Sequence, residues 1–132
     1  MQVGQSYKAL IEGYDINGYG VCYIENIVVF VEGALKDEIV ICELTHVRKR
    51  YAFAKLIKIL ETSKQRNTPA CPYFEECGGC DLLHMDYETE CKIKENKVKQ
   101  TLRGKDNIIF NSLIQSDSIY GLSLIHICRC RR

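Results

Sequence analysis

The chain has 132 residues, a formal net charge of +1, 27% charged residues, no Trp, two Pro and eight Cys. Its length accommodates one compact domain with an appendage and excludes two large cores. The opening "MQVGQSYKAL" has no basic segment followed by an apolar one, and the longest apolar run, Ile27 to Val31, is far too short for a membrane span; the expectation is a soluble, cytoplasmic, monomeric protein.

The first 62 residues predict a mainly β fold, a small five-stranded barrel. Residues Tyr7 to Glu12 alternate, and "DINGYG" supplies Asn17-Gly18, a hairpin signal because both residue types tolerate positive φ. Val21 to Ile24 and Ile27 to Val31 are β-rich runs separated only by Glu25-Asn26, which implies a second tight turn. Ile39 to Leu44 is another apolar strand, and "VRKR" leads into Tyr51 to Leu60, where periodicity alone leaves strand and helix both open. Five short strands in so few residues suit closure, which hides sheet edges.

Residues 63–70 are polar, end in "TPA" and read as a linker. Next comes "CPYFEECGGC", residues 71 to 80, with Cys71, Cys77 and Cys80 spaced C-x5-C-x2-C. The Gly-Gly pair lets the backbone fold tightly while thiolates converge, and soft thiolate donors suit zinc or an iron-sulfur cluster; spacing leaves the two species open. Clustered cysteines in a reducing compartment are more often ligands or redox groups than disulfides. A four-coordinate zinc site needs one more donor, and His84 or Cys91 is near in sequence. Asp86 then predicts an N-cap, with Glu88 and Glu90 in the first helical turn and Gly104 past the end. Tyr87, Cys91, Val98 and Leu102 share one helical face, so Cys91, like Cys22 and Cys42 inside strands, reads as a small buried hydrophobe. Charge switches here: residues 65 to 91 hold six acids and one base, and residues 92 to 105 hold six bases and one acid. That asymmetry suits either a polyanionic partner or a solvated helix face matched to its dipole.

"CPYFEECGGCDLLHMDYETECKIKENKV" resembles the iron-sulfur segment of the RNA uracil-C5 methyltransferases, and "VGQSYKALIEGYDINGYGVCYIENIVVFVEGALKDEIV" resembles their N-terminal TRAM domain, a barrel of oligonucleotide-binding type. The resemblance implies that Cys71, Cys77 and Cys80 are three of four ligands to a 4Fe-4S cluster, the fourth coming from further downstream. Leu83 and Glu90 stand where the family often has Gln. It also implies an order of parts: barrel 1–62, linker 63–70, cysteine loop and basic helix 71–105, and the incomplete start of a next domain at 106–121. A tail at 122–132, "LSLIHICRCRR", departs from the family; as native sequence, its Cys128 or Cys130 would be a candidate fourth ligand. The full-length enzymes add a cysteine thiolate to C6 of uracil, methylate C5 from S-adenosylmethionine and remove the C5 proton with a carboxylate. That chemistry needs a Rossmann-like cofactor domain with a Gly-rich turn, and no such turn is visible, so the chain is expected to be truncated before that domain and catalytically silent. No catalytic residue and no S-adenosylmethionine contact is assigned, and none of the eight cysteines is taken as a nucleophile.

The expected partner is RNA, ribosomal or transfer. Oligonucleotide-binding barrels hold single strands on aromatic platforms and cationic grooves. Tyr7, Tyr14, Tyr19, Tyr23, Tyr51 and Phe53 are candidate stackers, against the alternative that a small barrel needs such rings in its core. Arg48, Lys49, Arg50 and Lys55 are candidate phosphate contacts, against the alternative of a solvated turn. Residues 1 to 64 carry eight bases and eight acids, so attraction must be local. The alternative function is a stand-alone RNA-binding module of the oligonucleotide-binding fold with a structural zinc site.

Overall fold

The computed structural model describes residues 1–105, 108–118 and 120. Its strands are β1 (Ser6–Leu10), β2 (Gly13–Tyr14), β3 (Gly20–Ile24), β4 (Ile27–Glu32), β5 (Ile39–Val47) and β6 (Tyr51–Glu61), followed by helix α1 (Tyr87–Thr101). One curled sheet contains all six strands in the order β1-β5-β6-β4-β3-β2, with β4 and β6 parallel and the other pairs antiparallel.

The expected first strand is present but broken. Ile11 turns inward, fully buried, and its N–H donates to the Glu38 carbonyl at 2.9 Å, while the Glu12 N–H donates to the Val21 carbonyl of β3 at 2.8 Å. The chain thereby crosses from the β5 side of the sheet to the β3 side within two residues, so five expected strands become six. The same crossing joins the two edge strands, β1 and β2, of a sheet that curls into a half-barrel. Register shifts in the β5–β6 pair sharpen the curl, as bulges do.

Both turn readings hold. Glu25 and Asn26 have φ of 50° and 63°, a two-residue connection between β3 and β4 whose twist matches its strands. At the other turn Asp15 Oδ1 accepts from the N–H groups of Asn17 and Tyr19, both at 2.8 Å, and Gly18 sits at φ 89°. A Cβ at Gly18 would also come within 2.7 Å of Leu82 Cδ2, so the tip of this hairpin is pressed against the segment just past the cysteine loop. Gly20 permits a different close approach: a Cβ there would meet the Ala34 carbonyl at 2.8 Å. Tyr51 to Glu61, left open between strand and helix, is a strand whose Ala52 and Ala54 face inward while Tyr51, Phe53 and Lys55 face out.

The barrel core is aliphatic: Ile11, Val29, Val31, Val40, Leu44 and the thiols of Cys22 and Cys42 are all completely buried. The two thiols donate to the Val29 and Tyr7 carbonyls, each at 3.7 Å. The adjoining Cys42 thiol and burial push the Cys22 thiol up, which suits a packing role.

A second, smaller core of Leu35, Met85 and Ile93, flanked by Tyr14 and Leu82, joins the barrel to α1. Asp86 caps the helix by accepting from the Thr89 N–H at 2.7 Å, and Gly104 lies beyond the end at φ 82°. The buried helical face is Thr89, Cys91 and Ile93. Cys91 is buried as expected, but Val98 from the predicted stripe is 44% exposed, because the buried part of α1 is confined to its first half. Lys92, Lys94 and Lys99 pair with Glu88, Glu90 and Glu95 one turn earlier. Much of the basic run is thus committed to its own helix, worth roughly 0.2–0.5 kcal/mol per pair.

Residues 63–70, expected as a linker, are held at several points. The Asn67 N–H donates to the His84 carbonyl at 2.9 Å, the Asp86 N–H to the Gln65 carbonyl at 2.8 Å, and the Tyr14 hydroxyl to Gln65 Oε1 at 2.8 Å. Arg66 reaches into the barrel base, where Nε donates to Glu38 Oε1 at 2.6 Å and Nη2 to Glu38 Oε2 at 2.8 Å. Glu38 is completely buried, and its carboxylate also accepts from the Leu35 N–H at 2.9 Å and the Ser63 N–H at 3.3 Å.

Candidate nucleic-acid interface and cysteine loop

Alternation along β6 places Tyr51, Phe53 and Lys55 on its outer face. The parallel register sets Phe30 of β4 beside Phe53, with ring centroids 5.4 Å apart. Tyr51 meets Phe53 edge-on at 5.7 Å, and Tyr19, from the Asp15–Gly20 turn, meets it edge-on at 6.5 Å. Tyr51 and Phe53 remain 42% and 36% exposed, so four rings form a solvent-facing platform while the core is aliphatic. Of the six candidate stackers, Tyr19, Tyr51 and Phe53 come together. Tyr23 stands exposed outside this ring group, Tyr7 packs against the core, and Tyr14 is committed to the Lys36 N–H and Gln65. Phe30 is the member that sequence reading missed; its signal was the position two residues beyond Val28 on a strand that alternates.

Arg48, Lys49 and Arg50 form the exposed turn that leads directly into Tyr51, closed by the Arg48 N–H donating to the Tyr51 carbonyl at 2.9 Å. Lys55 is exposed two residues past Phe53 on the same face. The four cationic candidates therefore flank the platform along β6.

The cysteine loop is a series of turns in which the Cys77 N–H donates to the Tyr73 carbonyl at 2.8 Å and the Phe74 N–H to the Cys71 carbonyl at 3.3 Å. Gly78 has φ 51°, and a Cβ on Gly79 would come within 3.4 Å of Cys77 Sγ. Cys71, Cys77 and Cys80 are free and exposed. Among the described residues no three His, Cys, Asp or Glu side chains gather into a metal-holding group. The donor chemistry, three accessible thiols on a glycine-hinged loop, suits a soft metal; their arrangement here is not a ligand set. His84 and Cys91, the nearby candidates for a fourth donor, are both buried, with the His84 ring tilted against Phe74 at 5.8 Å between centroids. Burial, aided by the Arg66 charge and opposed by Glu38, brings the His84 pKa down to about 4. Cys128 and Cys130 lie outside the described residues.

The TRAM domain family matches residues 1–57, which takes in β1 to β5 and the first half of β6. Those residues are a TRAM domain. The chain is 39% identical over 103 residues to an uncharacterized RNA methyltransferase of Streptococcus mutans, a match that covers 78% of this chain and 22% of that protein. It is 44% identical over 100 residues to one of Halalkalibacterium halodurans, covering 76% and 22%. The chain thus spans about a fifth of the length of the curated relatives it matches. Among solved structures, the tRNA (uracil-54, C5)-methyltransferase of Pyrococcus abyssi, in complex with S-adenosyl-L-homocysteine, superposes with a TM-score of 0.52 at 23% identity, over 72% of this chain and 21% of that one. The fold is therefore shared with that enzyme across most of the chain. No helix among the described residues is long and apolar enough to cross a membrane.

Proposed function

We propose that the chain is the RNA-binding portion of an RNA uracil-C5 methyltransferase, with the TRAM barrel holding a single strand on Tyr19, Phe30, Tyr51 and Phe53. Arg48, Lys49, Arg50 and Lys55 contact phosphates. The observation that carries this reading is the placement of four aromatic rings outside a barrel whose core is filled by aliphatic residues. A surface cluster of rings beside a basic turn offers faces on which bases can stack. Phe53→Ala is expected to weaken binding of a single-stranded RNA hexamer by about 10-fold, the scale of one lost base–aromatic stack. Replacing Arg48, Lys49 and Arg50 together by Ala should lower the slope of log affinity against log salt by about 2, at roughly 0.7 per phosphate contact. An unchanged slope removes that turn from the interface.

The second part of the reading assigns Cys71, Cys77 and Cys80 as ligands of a 4Fe-4S cluster, with the fourth donor outside the described residues. What supports it is the donor set and its spacing, together with likeness to proteins named RNA methyltransferases. The bound cluster supplies a rigid centre for the loop; methyl transfer from S-adenosylmethionine belongs to the complete enzyme. Anaerobic reconstitution with iron and sulfide is expected to give a broad visible absorbance that disappears in Cys77→Ser. A colourless protein carrying one tightly held zinc ion would instead support a stand-alone RNA-binding module.

A further inference from the structure

Beside the aromatic platform lies a cleft of about 700 Å³, walled by the Asn17–Tyr19 turn, the end of β4, the middle of β6, Lys97 of α1, the cysteine loop and the segment through His84. Its size falls in the range of small-molecule sites and exceeds one nucleoside. Tyr19, Glu32 and Lys55 line both this cleft and a shallower hollow over Phe53, so a strand laid on the platform leads directly into it. Phe74 and His84 supply aromatic wall, and the buried His84 Nε2 has no hydrogen-bond partner among the described residues, a costly state for a ring nitrogen. Of the cations in the wall, Arg66 is neutralised by Glu38, Lys97 donates to Asn17 Oδ1 at 3.3 Å and Lys55 is shared with the hollow, whereas the three carboxylates Glu32, Glu75 and Asp81 make no ion pair among the described residues.

Resting on the RNA-binding reading above, we infer that this cleft receives one base of the bound strand, and that the base carries an exocyclic amino group. Carboxylates only accept hydrogen bonds. Adenine, cytosine and guanine offer exocyclic amino donors to such a wall, while uracil offers a single ring N3–H flanked by two carbonyl oxygens that a carboxylate repels. Lys55, shared between hollow and cleft, is placed for the phosphate that links the inserted nucleotide to its stacked neighbour.

Histidine reporters separate the two readings, because His46 lines the hollow over Phe53 and His84 lines the cleft. The chain with ¹⁵N-labelled histidine is titrated with hexamers of A, C and U and followed by NMR. Both ring signals are expected to shift, at concentrations about five-fold lower for the A and C hexamers than for U, on the scale of one base-edge contact. Movement of His46 with His84 unmoved overturns the cleft inference and leaves the platform standing; immobility of both overturns RNA binding itself. Equal or tighter binding of U overturns the amino-base assignment. Glu32→Gln combined with Asp81→Asn, at two exposed positions, is expected to abolish the preference, and its persistence overturns the role given to the carboxylates.

Discussion

Glu38→Ala is expected to destabilise the protein by about 3–5 kcal/mol, the usual consequence of removing one partner from a buried ion pair. The geometry explains why the loss is large. Glu38 is completely buried, accepts from Arg66 Nε and Nη2 at 2.6 and 2.8 Å, and accepts as well from two backbone N–H groups. Truncation leaves a guanidinium that is only 17% exposed without its counter-ion, and leaves the Leu35 and Ser63 amides without acceptors. Folding free energies of small domains are about 5–15 kcal/mol, so much of the margin disappears. Urea denaturation followed by circular dichroism measures it; a loss below about 1 kcal/mol would contradict the buried-pair account. The double replacement Glu38→Leu with Arg66→Met should recover part of the loss, since apolar substitutes remove the unpaired charge. Because Arg66 also donates to the Gly33 carbonyl at 2.6 Å and lies next to Asn67, which is bonded to His84, the single variant should also expose residues 61–70 to proteolysis.

The barrel was legible because its signals are local. Alternation in β3 and β4 and the Glu25-Asn26 and Asn17-Gly18 turns each arise from a few neighbouring residues, and all appear in the structure. The break at Ile11–Glu12 was not legible, because it depends on where Glu38 and Val21 arrive after the chain has folded. The platform was half legible for the same reason: Tyr51, Phe53 and Lys55 share a strand face by period two, but Phe30 joins them only through the parallel β4–β6 register. Residues 63–70 carry a linker's composition, and composition is silent about Arg66 finding a buried carboxylate 28 positions earlier. The thiol spacing of the cysteine loop was plain in the sequence. Convergence is another matter, since a loop of turns takes its ligand geometry largely from the metal it binds.

Stability is expected to fall in two steps as pH drops from neutral. His84 has a pKa of about 4 in the folded protein, chiefly through burial, against an unperturbed value of 6.5. Between those values the unfolded chain binds a proton that the folded one refuses, so acid favours unfolding; the full contribution is present above pH 6.5 and is lost by pH 4, on the order of 3 kcal/mol. Glu38 adds to the lower end. Burial by itself raises its pKa, but hydrogen bonds from Arg66 and the Leu35 amide outweigh this and hold it below the ordinary 4.5. Its stabilisation is therefore present above that value and fades as pH falls through the lowered one. Urea midpoints recorded at about pH 7.5, 5.5 and 4 should decline throughout, and His84→Leu should flatten the decline between the first two and reduce that between the last two to the part Glu38 supplies. A profile already flat from about pH 7 to pH 5 in the unmodified protein would mean that His84 is protonated in place, and that its unpartnered nitrogen has found water or ligand in the cleft.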